Sequence, residues 1–136
     1  MEIKLVFFDS AEQSKNGTIR GLVAFIIIAL VCVLWYGYIF QSWKKYVDLQ
    51  SRDLLIGSAI VMVFLIASAI SVGQPDSDIL AVVYGTLVGL VIFGTGNALY
   101  VALQPYPISM ALIDTTFGAV LCGLTSWVVF RLFRQL

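Results

Sequence analysis

Residues 54–72 read LLIGSAIVMVFLIASAISV, an apolar run without a charged side chain. A helix needs about 20 predominantly apolar residues to cross the ~30 Å hydrocarbon core of a bilayer, because each residue adds ~1.5 Å. Comparable runs lie on either side, at about 21–40, 79–103 and 110–130. None alternates between polar and apolar residues as a membrane-spanning β-strand does. The sequence therefore predicts an all-α fold, an integral membrane bundle of four transmembrane helices.

The composition of the 136-residue chain agrees with a location in the membrane. Apolar residues make up 60% of the chain and charged residues only 12%, whereas about a quarter of the residues of a soluble domain are charged. Eight basic residues balance eight acidic ones, which argues against a basic surface for nucleic acid. The partners we expect are membrane lipids and either other membrane protein subunits or further copies of this chain, and no nucleic acid.

Two regions are expected along the chain. Residues 1–20 form a polar, interfacial N-terminal segment, and residues 21–136 form a single four-helix transmembrane domain. Residues 3–8 are expected either to lie at the membrane surface or against a partner, or to be a partly ordered terminus. The connections at 73–78 and 104–107 are short, so the last three helices should be consecutive antiparallel neighbours.

The distribution of basic residues favours one orientation. Five of the eight Lys and Arg side chains lie in the two terminal segments, which share one side of a four-span protein. Basic residues are enriched on the cytoplasmic side of membrane proteins. We therefore expect both termini on the cytoplasmic side or its organellar equivalent, in a membrane that the sequence does not specify.

The residues that most enzymes use are scarce. The chain has no histidine, which excludes Ser-His-Asp and Cys-His catalysis and His-ligated zinc. Cys32 and Cys122 lie inside predicted spans without the CxxC spacing of a metal or redox site, and we expect neither a disulfide nor a metal. A lipid-modifying enzyme would depend on Asp114 alone for acid–base chemistry. We expect no enzymatic activity, no catalytic residue and no cofactor.

Asp114 is the one ionisable side chain well inside a predicted span. A lone charge at the centre of a bilayer costs at least ~2.5–3.5 kcal/mol, so Asp114 should be paired, protonated or facing a polar cavity. Asn97, on the preceding antiparallel span, lies at a similar depth from the turn between them. Trp35 and Tyr36 end the first span at this same side of the membrane. The candidate intramembrane polar site comprises Asp114, Asn97, Thr95, Thr115 and Trp35.

This polar site has two interpretations. It is either a site for an ion, a proton or a lipid headgroup, or a set of interhelical hydrogen bonds that hold the bundle together. Asn and Asp bond across helices where no water competes, and the sequence leaves both interpretations open.

Small residues predict close helix packing. Gly85 and Gly89 form a GxxxG pattern on the third span, and small residues recur at four-residue spacing on the fourth. Such rows let two helix backbones approach closely. The partner helix can belong to this chain or to another protein. The candidate packing residues are Gly85, Gly89, Gly118, Ala119 and Gly123.

Four short motifs carry a resemblance to a known family: Trp35-Tyr36-Gly37, Asn97, Tyr106-Pro107 and the IDTTFG run at 113–118. The chain resembles small four-span membrane proteins, mainly bacterial, that are catalogued only as a domain of unknown function. The resemblance covers about 21–133 and is most specific over 85–126. It implies a four-span fold.

The resemblance also implies an intramembrane site of three carboxylates, from which this chain departs. Cys32 stands where the family has the acid of its first helix, and Gly94 where it has the acid of its third. Gly96 replaces a Thr, and Tyr106 and Phe117 each replace a Trp. Loss of two acids weakens a shared-carboxylate mechanism and leaves the packing framework intact.

The sequence thus predicts a non-catalytic small polytopic membrane protein, a structural or accessory subunit of a larger membrane assembly. The alternative is a homo-oligomeric ion channel or small transporter that uses a polar site at Asp114 and Asn97. Several copies would be needed, because one four-helix bundle has little room for a pore.

Overall fold

Four long helices dominate the structure, a computed structural model that describes residues 3–5, 11–46 and 52–134. Each helix is long and apolar enough to span a membrane. The predicted fold class, an all-α bundle of four membrane-spanning helices, is confirmed. The helices are α1 (Ala11–Leu34), α2 (Arg52–Val72), α3 (Asp78–Leu103) and α4 (Ile108–Arg134).

The first helix begins earlier than the apolar run alone predicts. α1 starts at Ala11 and continues without interruption past residue 20, the expected end of the polar N-terminal segment. The candidate membrane span, judged by length and hydropathy, covers Asn16–Ile39 and so continues past the end of α1 at Leu34. The polar residues between 11 and 20 are therefore helical and extend the first helix towards the terminal side of the bundle.

The end of the first span is not regular α-helix. Residues Trp35–Ile39 form a π-helical turn, and Gln41–Lys45 form a 3₁₀ turn. The backbone N–H of Phe40 donates to the carbonyl of Trp35 at 2.6 Å, an i→i+5 hydrogen bond. Such π turns occur mostly as single insertions within helices and are frequent at functional sites.

A short β-ladder closes the terminal side of the bundle. Strand β1 (Ile3–Leu5) pairs antiparallel with β2 (Gly73–Pro75), with Lys4 opposite Gln74. Residues 3–5 thus lie against the connection between α2 and α3 of their own chain. The rest of the stretch 3–8, which is expected at the membrane surface, against a partner or partly ordered, lies outside the described residues.

Helices α3 and α4 approach each other most closely, because glycines line their contact. A Cβ added to Gly89 would lie 2.5 Å from the carbonyl oxygen of Gly118. A Cβ at Gly85 would overlap the carbonyl of Cys122, and one at Gly123 would lie 2.5 Å from Oγ1 of Thr86. The predicted small-residue faces therefore serve an internal contact between α3 and α4.

Hydrogen bonds fasten α2 to its neighbours at the terminal side. Ser71 Oγ donates to the carbonyl of Gly17 at 2.5 Å, and Arg20 Nη2 donates to the carbonyl of Ser71 at 3.0 Å. Tyr84 Oη on α3 donates to the carbonyl of Ala69. These bonds place the start of α1 and the start of α3 beside the end of α2, as an antiparallel bundle requires.

The middle of the bundle is filled by apolar side chains. All four helices contribute, and Ile28, Ile66 and Cys122 are fully buried. Phe93 is 4% exposed and packs between α3 and α4 over Gly118. This apolar core separates the polar cluster around Asp114 from the terminal side.

Candidate intramembrane polar site

Asp114 lies in the second turn of α4 and is 6% exposed. Its two carboxylate oxygens accept three hydrogen bonds, from side chains of two different segments. An ionised carboxylate has about four acceptor positions. Most of its hydrogen-bonding capacity is therefore used within this chain.

The first oxygen of Asp114 is bound by the end of the first span. Oδ1 accepts from Tyr36 Oη at 2.7 Å and from Trp35 Nε1 at 3.1 Å. Consecutive residues of a regular α-helix point in directions about 100° apart. The π turn at Trp35–Ile39 changes this geometry, and the two neighbouring side chains reach the same oxygen atom.

The second oxygen of Asp114 is bound by α3. Asn97, itself 6% exposed, directs its Nδ2 towards Asp114 Oδ2 at 2.8 Å. The same nitrogen lies 2.9 Å from the carbonyl oxygen of Phe93 and 3.2 Å from Thr115 Oγ1. An amide nitrogen carries two hydrogens, so three acceptors share them. Asn97 thus links the third helix to two consecutive residues of the fourth.

Four of the five predicted site residues meet in this way. Asp114, Asn97, Thr115 and Trp35 form one hydrogen-bonded cluster. Thr95 does not join it, because its side chain is exposed on the outer face of α3. Thr95 lies two residues before Asn97, and side chains two positions apart on a helix point to different sides. Thr95 therefore points away from the cluster that Asn97 joins.

Tyr36 is a member of the cluster that the candidate site from sequence does not include. Sequence places it at the correct end of the bundle, beside Trp35. The helical periodicity of the first span gives no reason to turn both side chains to one point. The Tyr36–Gly37–Tyr38 run, rich in aromatic residues and interrupted by glycine, is the local signal for an irregular helix end.

Aromatic stacking fixes Trp35 over the cluster. Its ring lies between Phe117 of α4, at a centroid distance of 4.1 Å, and Phe40, at 5.1 Å, and both pairs are nearly parallel. Trp43 Nε1 donates to the carbonyl of Tyr36 at 3.0 Å, which satisfies a backbone group in the π turn. The donors to Asp114 are held by packing as well as by hydrogen bonds.

A cleft of about 190 Å³ opens beside the polar cluster, between α1, α2 and α3. Most of its walls are apolar, and they include Cys32, Ala59 and Met62. Polar groups of Tyr36, Asn97 and Asp114 line part of it. The described residues that line this cleft include no lysine or arginine. The cleft is suited to an apolar group that carries a hydrogen-bond donor or a positive charge.

Tyr106, in the turn between α3 and α4, lines the same cleft. Burial raises the pKa of its phenol to about 12, and the negative charge of Asp114 and the neighbouring Tyr100 act in the same direction. The Tyr106 hydroxyl therefore stays protonated and neutral at physiological pH.

Within the described ranges, no group of three or more His, Cys, Asp or Glu side chains is placed to hold a metal ion. Cys32 and Cys122 are both unpaired thiols. The polar cluster consists of one carboxylate, one amide, one hydroxyl and two aromatic donors. Such a set can hold helices together or receive one small polar group from the cleft.

Comparison of the chain with protein-family models, with curated proteins and with solved structures finds no match.

Proposed function

We propose that this chain, a multi-pass membrane protein, is a non-catalytic structural or accessory subunit of a larger membrane assembly. The observation that carries the proposal is the bonding of Asp114. Its carboxylate accepts hydrogen bonds from Trp35 and Tyr36 of the first span and from Asn97 of α3. A transport site would be expected to keep its acid available to a solute, whereas these bonds occupy it.

The packing of the bundle supports the same proposal. Ile28, Ile66 and Phe93 fill the space between the polar cluster and the terminal side of the bundle. A polar path across the membrane would have to pass through these side chains. The outer face of α2 is rich in exposed apolar residues such as Ile60 and Phe64. This face has to be covered by lipid or by another membrane protein.

The native mass of the protein in its source membrane tests this proposal. We would extract the untagged protein in a mild detergent and determine its mass and its companions by native electrophoresis and mass spectrometry. We expect it to migrate with chains of different sequence. A discrete homo-oligomer would contradict the accessory role.

An alternative function is favoured by the cleft beside Asp114. A homo-oligomeric channel or small transporter could admit an amphipathic amine or cation to this cleft and bind it at Asp114 and Asn97. The apolar walls and the single carboxylate suit such a ligand. A second copy of the chain would have to complete the path, because one bundle is closed by its own core.

Flux measurements separate the two functions. Purified protein in liposomes would be compared with Asp114→Asn and with Ala59→Phe, which places a ring in the cleft. Gly57→Phe is the matched control, because Gly57 lies on α2 with open space around it. Transport predicts flux that is lost in the first two variants and kept in the control. Flux that survives Asp114→Asn unchanged would contradict this form of transport.

A further inference from the structure

A second crevice lies at the opposite, terminal side of the bundle. Its volume is about 240 Å³, and it is bounded by the start of α1, by β2 and by the last turns of α4. Two guanidinium side chains line it, Arg20 from α1 and Arg134 from α4. The described residues that line this crevice include no acidic side chain. The crevice is therefore electropositive as well as concave.

Arg20 carries an unused hydrogen-bond donor. Its Nη2 donates to the carbonyl of Ser71, but its Nε is buried and has no hydrogen-bond partner among the described residues. More than nine in ten buried polar groups in proteins have a partner. The planar arginine fork binds phosphate oxygens in pairs, and Arg20 lines the crevice, so its guanidinium has donor capacity left for an anion there.

Arg134 adds a second positive charge near the end of α4. Its guanidinium lies 5.7 Å from the centre of the Phe130 ring, which is one turn earlier on the same helix. Arg131, three residues before it, has a different partner: its Nε lies 2.8 Å from Asp78 Oδ1. Arg131 does not line the crevice, so the two arginines of α4 have separate roles.

The remaining walls of the crevice are largely apolar. Val129 is 2% exposed, and Phe130, Phe133 and Ile70 lie beside it. Arg20 immediately precedes the apolar part of the first span, and Arg134 follows that of the fourth. Basic residues at such positions lie at the level of the lipid headgroups. The crevice thus combines positive charge at headgroup depth with apolar surface that continues towards the acyl chains.

We propose that this crevice binds the phosphate of an anionic phospholipid between Arg20 and Arg134, with an acyl chain against Phe130 and Phe133. Basic pockets between transmembrane helices bind acidic headgroups in this way. The apolar walls select a lipid over a free phosphate ion. A net negative headgroup is preferred, because the amine of a zwitterionic lipid would meet two guanidinium groups. This site lies across the core from Asp114, and it does not depend on the function proposed above.

Native mass spectrometry of the full-length protein in a non-ionic detergent tests the site. The probes are phosphatidylglycerol and phosphatidylcholine with identical acyl chains, and inorganic phosphate in a separate arm. We expect phosphatidylglycerol to be retained in preference to phosphatidylcholine, and inorganic phosphate alone not to bind. Arg134→Gln should reduce the retention of phosphatidylglycerol about fivefold, since one basic residue near an anionic lipid is worth ~1 kcal/mol.

Arg131→Gln is the matched control, because it removes the same charge from the same helix end outside the crevice. It should leave retention unchanged. Arg20→Gln should act like Arg134→Gln, but it also removes the bond to Ser71, so a melting curve must accompany it. Equal retention of the two lipids, or an equal loss in Arg131→Gln and Arg134→Gln, would overturn the proposal. Binding of inorganic phosphate alone with the affinity of the lipid would overturn it too and assign the site to a free anion.

Discussion

Asn97 Nδ2 on α3 lies 2.8 Å from Asp114 Oδ2 on α4. The partner that α3 supplies to this buried carboxylate is therefore a neutral amide and, among the described residues, not a cation. The bond joins the two helices whose backbones lie closest together. The other oxygen of Asp114 is bound by the first span through Tyr36 and Trp35. One carboxylate therefore connects three of the four helices at the non-terminal end of the bundle.

Replacement of Asp114 by an apolar residue should destabilise the bundle. Asp114→Leu removes the acceptor of three hydrogen bonds, and each hydrogen bond in a membrane interior is worth ~0.6 kcal/mol on average. We expect the free energy of unfolding to fall by about 2 kcal/mol, with the larger share from Trp35 and Tyr36, because Asn97 keeps the Phe93 carbonyl and Thr115 Oγ1 as acceptors. Unfolding by sodium dodecyl sulfate in mixed micelles measures this change.

Asp114→Asn is the conservative comparison. Its carbonyl oxygen can still accept from Trp35 and Tyr36, but its amide faces the amide of Asn97. We expect a loss about a third as large as that of Asp114→Leu, as only one of three bonds is disturbed. If Asp114→Leu were as stable as the native protein, the hydrogen bonds of Asp114 would not be what holds the helices together.

The hydroxyl of Tyr36 should contribute to the stability of the bundle, and that of Tyr38 should not. Tyr36→Phe removes a 2.7 Å hydrogen bond to Asp114 and should cost about 0.5–1.5 kcal/mol of unfolding free energy. Tyr38 is 73% exposed, so Tyr38→Phe is the control and should change little. A double-mutant cycle of Tyr36→Phe with Asp114→Leu tests the contact itself, because leucine cannot accept the hydrogen bond from Tyr36. Additive effects in that cycle would mean that the two side chains do not interact.

The contact between α3 and α4 should not accept a side chain at Gly89. Gly89→Leu would force Leu atoms against the carbonyl oxygen of Gly118, since even a Cβ at Gly89 would lie 2.5 Å from that oxygen. Overpacking of this kind costs typically about 1–3 kcal/mol, and we expect a lower melting temperature in detergent. The control is Gly57→Leu, because nothing lies within 4 Å of a Cβ at Gly57. If both variants melt at the same temperature, the close approach of the two helices is not essential.

The ion pair between Arg131 and Asp78 should contribute little to stability. Their side chains are 51% and 36% exposed, and exposed ion pairs contribute about 0.2–1 kcal/mol. Arg131→Gln should therefore lower the unfolding free energy by less than Asp114→Leu does. The difference between native protein and variant should shrink at high salt, because salt screens exposed charges. A loss as large as that of Asp114→Leu would contradict this ranking.

Sequence alone determined the four spans, because the length and polarity of each run are set by the thickness of the bilayer. It also indicated that Asp114 and Asn97 lie at one depth, since both are counted from the same short turn. The identity of the packing residues followed from spacing, as small residues four apart share a helix face. The partner of that face was not determined, because a GxxxG pattern serves a helix of the same chain and one of another protein equally well.

Only the tertiary structure decided which side chains complete the cluster around Asp114. The π turn brings Tyr36 and Trp35 to one oxygen of Asp114. An irregular turn of this kind produces no periodic pattern of residues by which the sequence could reveal it. Thr95 was a reasonable candidate by depth, but its direction on α3 depends on how that helix is rotated against α4. The crevice between Arg20 and Arg134 joins residues more than a hundred positions apart. The local sequence pattern determines the length of each helix and the depth of its residues in the membrane. The rotation of each helix about its axis, and the contacts between distant residues, depend on how the helices pack.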